Sequence, residues 1–129
     1  MNLNLVILPK VYCILKFESV TDIPPSVYTS DFYSITRTPE EISVITEQKS
    51  SIKENIVCEK DWRILKIDGI LNFSMVGIIS DITSNLKEDE IPVFVISTFN
   101  TDCFLVKQNR LNEAIKALEK KGHSINYEK

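Results

Sequence analysis

Two residues stand out by type and placement. Gly77 falls at the start of a helix pattern: Ser74 reads as its N-cap, and Met75, Ile78, Ile79, Ile82 and Leu86 follow at helical spacing as one apolar stripe. In the first turn of a helix the backbone N–H groups lack intrahelical acceptors. The positive end of the dipole adds to their pull, so a carboxylate is favoured there, and a residue without Cβ lets it approach. The same glycine could instead serve only close packing of helix on strand. Asp102 is the second residue. It closes the polar run Asn100-Thr101-Asp102 between two apolar runs, residues 93–96 and 103–106. A carboxylate at such a bend can accept an ammonium or a guanidinium. It reads equally well as a solvated turn residue. Together, a glycine-bearing helix tip and an acid at a hairpin bend would meet the two ends of a zwitterion.

Other constellations do not assemble. His123 is the only histidine and follows the helix-ending Gly122, a position expected at the surface. No His, Cys and carboxylate cluster has metal-ligand spacing, so no metal and no cofactor is expected. No serine has a histidine placed by a motif, and no phosphate-cradling glycine loop occurs. Glu40-Glu41 and Glu88-Asp89-Glu90 read as solvated faces rather than an acid/base pair. The chain is therefore expected not to be an enzyme.

The elements that must position Gly77 and Asp102 are legible from hydrophobic period. Residues 62–67 form a strand and Asp68-Gly69 a turn. The Ser74-capped helix follows, and residues 87–90 read as a solvated exit loop. Residues 91–106 then form a hairpin whose first arm is apolar without a break, as in a strand covered on both faces. Asn109 caps a second helix, with Leu111, Ala114, Ile115 and Leu118 on one face. Lys120-Lys121 sit at its negative dipole end and Gly122 at the C′ position. Residues 124–127 form a last strand. The order is β-α-β-β-α-β, and right-handed crossovers place both helices on one face of an antiparallel sheet, a ferredoxin-like α+β fold.

The first half has strands at residues 3–8, 11–17, 32–36 and 42–46. Ile23-Pro24-Pro25-Ser26 limits any helix between the second and third to a single turn. Residues 47–55 are polar and read as a loop. The two halves echo each other. Ile14-Leu15-Lys16 recurs as Ile64-Leu65-Lys66. Residues 32–45 can be laid ungapped on 93–106, so that Ile35 meets Ile96, Thr36 meets Ser97 and Glu41 meets Asp102. The division expected is a first unit over 1–61, its helices reduced to turns, and a second over 62–129.

Bulk properties narrow the partners. The chain has 129 residues, 43% hydrophobic and 26% charged, with a formal net charge of −3. An acidic balance without a basic block argues against nucleic acid. No apolar run approaches the ~20 residues that span a bilayer, so no membrane association is expected and the cytoplasm is the expected location. The three cysteines, Cys13, Cys58 and Cys103, form no Cys-x-x-Cys and read as small hydrophobes in a reducing compartment.

Residues 32–44, Trp62-Arg63-Ile64-Leu65-Lys66 with Gly69, Leu71-Asn72-Phe73-Ser74, Gly77-Ile78 and residues 96–102 resemble the signatures of small tandem ACT-domain proteins. The same signatures occur in the CASTOR arginine sensors and, more distantly, in the regulatory tails of aspartate kinases. The resemblance implies a regulatory module that holds a free amino acid at an interface between ACT units, with a homodimer and a protein partner as expected associations. It implies ligand contacts at Met75, Gly77, Ile78, Ile79 and Asp102, with Ser43 and Val44 giving edge-strand contacts from the other half. Met75 stands where the arginine sensors carry an acid, so a smaller or apolar amino acid is expected rather than arginine. The rival reading is a ligand-free module that dimerises through its sheet edges.

Overall fold

The computed structural model describes residues 1–49, 52–72 and 75–129. In chain order its strands are β1 (Asn4–Ile7), β2 (Tyr12–Phe17), β3 (Ser34–Arg37), β4 (Ile42–Glu47), β5 (Val57–Ile67), β6 (Phe94–Ser97), β7 (Asp102–Lys107) and β8 (Ser124–Tyr127); its helices are α1 (Ile78–Glu88) and α2 (Leu111–Lys120). Two compact units result. One joins Met1–Pro9 to Arg63–Lys129 and the other is Lys10–Trp62.

The first of these carries both helices. β5 pairs antiparallel with β1, Leu5 opposite Ile67, and β1 pairs parallel with β8, Leu5 opposite Ile125. β7 lies beside β5 and pairs antiparallel with β6. The β-α-β-β-α-β order from β5 to β8 is thus the expected ferredoxin-like one, with two departures. β1 is inserted between β5 and β8, so the sheet has a parallel pair. The first nine residues pack with the second half and not, as expected, with the first. The physical reason is Leu5 and Ile7, both fully buried in the core of this unit. That core is closed from one side by Ile78, Ile82 and Leu86 of α1 and by Leu111, Ala114, Ala117 and Leu118 of α2. From the sheet come Leu65, Ile67, Phe104 and Val106.

Several local expectations shift. α1 begins at Ile78, so Gly77 caps it rather than sitting in its first turn; Ser74 lies outside the described residues. Ile79 is exposed and Asn85 takes the buried place on the stripe. α1 continues through Lys87 and Glu88, which the sequence reading gave to a loop. Asn109 stands in a 3-10 turn and does not cap α2, which starts at Leu111 after Arg110 without a side-chain cap. β6 is half-buried instead of covered on both faces, since among the described residues only β7 pairs with it. His123 is the largest departure. It is buried: its Nδ1 accepts from the Leu3 N–H at 3.0 Å, and its Nε2 lies 3.0 Å from an Asp81 carboxylate oxygen and 3.2 Å from the Asn85 amide nitrogen. The backbone donor at Nδ1 assigns the ring proton to Nε2, facing Asp81.

The Lys10–Trp62 unit keeps four strands and has no α-helix among its described residues. Its order is β3-β4-β2-β5. Two 3-10 turns, Val20–Asp22 and Pro25–Thr29, replace the first helix, the second opening on the prolines as expected. Its core is Cys13, Leu15, Phe17, Ile23, Val27, Ile42 and Val44. Pairing of β2 with β5 shifts register between Tyr12 and Ile14, beside Asp61, whose φ of 69° is left-handed. Gln48 fixes this bulge from both sides. Its Oε1 accepts from the Asp61 N–H at 2.7 Å and its Nε2 donates to the Asp61 carboxylate at 2.9 Å.

Candidate functional site

A pocket of about 330 Å³ opens beside the start of α1, at the low end of the range for small-molecule sites. Met75, Gly77, Ile78 and Ile79 line it from the helix start; Ser97 to Asp102 line it from the β6–β7 hairpin; Leu71 and Asn72 complete it. The two features that the sequence singled out, the glycine at the helix tip and the acid at the bend, therefore share one cavity.

Local chemistry explains why. The chain leaving β5 is held to the hairpin turn by the Leu71 N–H, which donates to the Asn100 carbonyl at 2.7 Å. The Thr101 hydroxyl donates to the Ile67 carbonyl at 2.7 Å, fixing the turn on β5. Within the turn, the Thr98 N–H donates to the Thr101 carbonyl at 2.8 Å, the Thr98 hydroxyl donates to the same carbonyl at 3.0 Å, and the Thr101 N–H donates to the Thr98 hydroxyl at 3.2 Å. Asp102 is thereby held at the first position of β7, half-buried and opposite Ser97.

Gly77 has φ +82°, and a Cβ built there would meet nothing within 4 Å. Close packing is therefore not its reason; the left-handed backbone is. It provides no side-chain cap to α1. The N–H groups of Ile78, Ile79 and Ser80, at the open end of the helix and in the pocket lining, have no intrahelical acceptor and present the positive dipole end to the cavity. Opposite them, Asp102 is the one charged side chain among the described residues of the lining. Its charge is felt by its neighbour: the Cys103 thiol is pushed up to about 11, by burial first, with Lys66 opposing and Asp102 adding. Positive backbone on one wall and a carboxylate on the other suit a small zwitterion.

Ser43 and Val44 are not part of this lining. They stand in β4 of the Lys10–Trp62 unit, and β4 is paired on both sides, by β3 and β2, so it is no edge strand. Val44 is fully buried in the core of that unit. Residues that the sequence reading gave no role, Thr98 and Ser80, do line the pocket. A threonine three before a second hydroxyl residue in a short inter-strand gap was the available signal for the turn. Among the described residues no group of three His, Cys, Asp or Glu is arranged for a metal, and no helix is long and apolar enough to cross a membrane.

The model of the ACT domain matches residues 57–120, which hold the whole pocket. A protein from Agobacterium tumefaciens, Atu0741, is 31% identical over 100% of this chain and 96% of its own, with a TM-score of 0.90. The chain belongs to the ACT-domain family. Further solved structures share the fold. VC0802 from Vibrio cholerae, described as a protein of unknown function and possible transport protein, has a TM-score of 0.72 at 15% identity, over 94% of this chain and 91% of its own. The regulatory subunit of aspartate kinase from Thermus thermophilus has a TM-score of 0.63 at 9% identity, over 90% and 95%. The pocket lies where the first helix of the Arg63–Lys129 unit starts.

Proposed function

We propose that the pocket between Gly77 and Asp102 binds a free amino acid and that the protein is a cytoplasmic regulatory module responding to it. The observation that carries the reading is the pairing of an uncapped helix tip with a single carboxylate across one small cavity. The tip takes the α-carboxylate through the N–H groups of Ile78 and Ile79, and Asp102 takes the α-ammonium. No second acid and no base remains in the lining for a charged side chain, while Leu71, Met75 and the ring of Phe99 offer apolar contact. The ligand is therefore a neutral amino acid of modest size. The likeness to an aspartate kinase regulatory subunit supports a regulatory output. The pocket is open, and Val76 and Phe99 at its rim are 85% and 80% exposed, as is Ile70 next to it. A second copy of the chain would cover this apolar rim and complete the site as a homodimer.

Thermal unfolding with each common amino acid tests this. One or a few neutral amino acids should raise the melting temperature, arginine and lysine should not, and Asp102→Ala should remove the response. Sedimentation with the responding amino acid should report a dimer. A flat response across all amino acids would overturn the reading and leave the module that docks through a sheet edge.

A further inference from the structure

The Lys10–Trp62 unit holds two of the three cysteines, and its fold brings them together. Cys58 of β5 stands directly opposite Leu15 of β2, so the two side chains leave the sheet on one face. Cys13, two residues before Leu15, shares that face. Cys13 and Leu15 belong to the core of the unit, and Cys58 packs against it. The two thiols are therefore diagonal neighbours across the β2–β5 pair, close enough for a side-chain hydrogen bond between them. The ladder is interrupted here. Its register shifts between Tyr12 and Ile14, so that two residues of β5, Lys60 and Asp61, stand against the single Cys13. The pair is also open to small molecules. α2 fills the other unit with Leu111, Ala114, Ala117 and Leu118, whereas the described residues of 48–56 bring only Ile52 and Ile56, both half-buried. About 660 Å³ is left, and Cys13 and Cys58 both line it.

We propose that Cys58 and Cys13 are a redox-modification site, a dithiol that a peroxide closes to a disulfide. Cys58, half-buried in the cavity lining, meets the oxidant first. Its thiolate sulfur attacks one oxygen of hydrogen peroxide. The S–O bond forms as the O–O bond breaks, and the leaving hydroxide takes up the proton that Cys58 released. The Cys13 sulfur then attacks the sulfenic sulfur of Cys58. The S–S bond forms as the S–O bond breaks, and the leaving hydroxide takes the Cys13 proton. Two thiols lose two electrons and two protons, and one peroxide becomes two waters. The order follows from burial. Burial first, and then the neighbouring Cys58, push the Cys13 thiol up to about 12, which keeps it protonated and inert to peroxide until a sulfenic acid stands beside it. Diagonal partners lie about 7–8 Å apart at Cα, slightly beyond a relaxed disulfide, and the bulge next to the pair supplies the strand movement that closure needs. In a reducing compartment such a link is transient and serves sensing rather than stability. The inference does not rest on the amino-acid pocket, whose described lining has no cysteine.

Hydrogen peroxide on the full chain tests this. Free thiols should fall from three to one per chain, the one left being Cys103, fully buried in the other unit. Peptide mapping without reductant should join the Cys13 and Cys58 peptides of one chain, and dithiothreitol should restore all three thiols. Cys103→Ala should keep the link. Cys13→Ala should stop the reaction at the sulfenic acid of Cys58, captured there by dimedone. Three thiols left after peroxide would overturn the proposal. So would a link between the Cys58 residues of two chains, or a dimedone adduct on Cys58 of the unsubstituted chain in place of the link.

Discussion

The two units share a strand order and differ in almost everything laid over it. In each, the first strand pairs with the third, β2 with β4 and β5 with β7, and the second is paired to the third through a tight turn. Even the turns agree. The Thr38 N–H donates to the Glu41 carbonyl at 2.9 Å, and the Thr38 hydroxyl bridges the N–H and carbonyl of Glu41, as Thr98 does with Thr101. Thr38 thus corresponds to Thr98 and Glu41 to Thr101, one residue off the ungapped register that matched Glu41 to Asp102. In a strand, one residue exchanges the faces, and the cores agree: Val44 matches Phe104, both inward. Ile14-Leu15-Lys16 and Ile64-Leu65-Lys66 are in phase as read, with Leu15 and Leu65 both in their cores. The helices differ. One unit has an uncapped helix tip facing an acid. In the other, a 3-10 turn is capped by the Ser19 side chain, and the residue equivalent to Asp102 is Ile42, buried. A shared frame can carry a helix tip and an acid in one copy and a capped 3-10 turn and a buried isoleucine in the other.

The largest way to break this comparison is in the helical core. Ile82→Ala should cost about 2–5 kcal/mol in urea unfolding, because a fully buried methyl-rich side chain leaves a cavity. Ile52→Ala in the other unit, half-buried against its core, should cost well under half of that. If the two losses were alike, the unequal filling of the two units would be wrong.

Next in size is alkaline titration. Folding raises the Cys103 thiol from 9.0 to about 11, so between these pH values the folded chain holds a proton the unfolded chain has lost. Stability is fully present below pH 9 and falls as pH rises toward 11, by about 2–3 kcal/mol from this group. Cys103→Ala should lessen that slope in chemical unfolding at stepped pH, the part due to Cys13, whose thiol burial pushes up to about 12, remaining. A variant with the slope unchanged would place the proton linkage elsewhere.

His123→Ala sharpens the role of β1 as an added strand. It should cost about 1–3 kcal/mol, since the Leu3 N–H loses its acceptor and Asp81 its donor. Hydrogen exchange at the Leu3 amide should quicken before that of β7. Gly77→Ala follows, costing about 1–3 kcal/mol from the left-handed φ alone, with no clash to add. Smallest are Thr38→Ala and Thr98→Ala, each about 0.5–1.5 kcal/mol by the same lost bonds. Similar stability losses support the one-residue correction of the repeat. Only Thr98→Ala should also weaken amino-acid binding.

Much of this was legible from residue type and period. Apolar runs and alternation marked every strand except the Val57–Asp61 part of β5, and the spacing of Ile78, Ile82 and Leu86 and of Leu111, Ala114 and Leu118 marked both helices, because burial of one face is written in the sequence that forms it. Asn100-Thr101-Asp102 marked the bend for the same local reason. Three things were decided only by tertiary structure. The insertion of β1 beside β5 and β8 depends on pairing between residues some 60 and 120 positions apart, which no local period encodes. The burial of His123 depends on Leu3 and Asp81 arriving from other elements to satisfy both ring nitrogens. Gly77 needed the whole β5–α1 connection to show that a positive φ, not tight packing, requires it. Local chemistry chose the elements; long-range hydrogen bonding chose their neighbours, and the neighbours made the pocket.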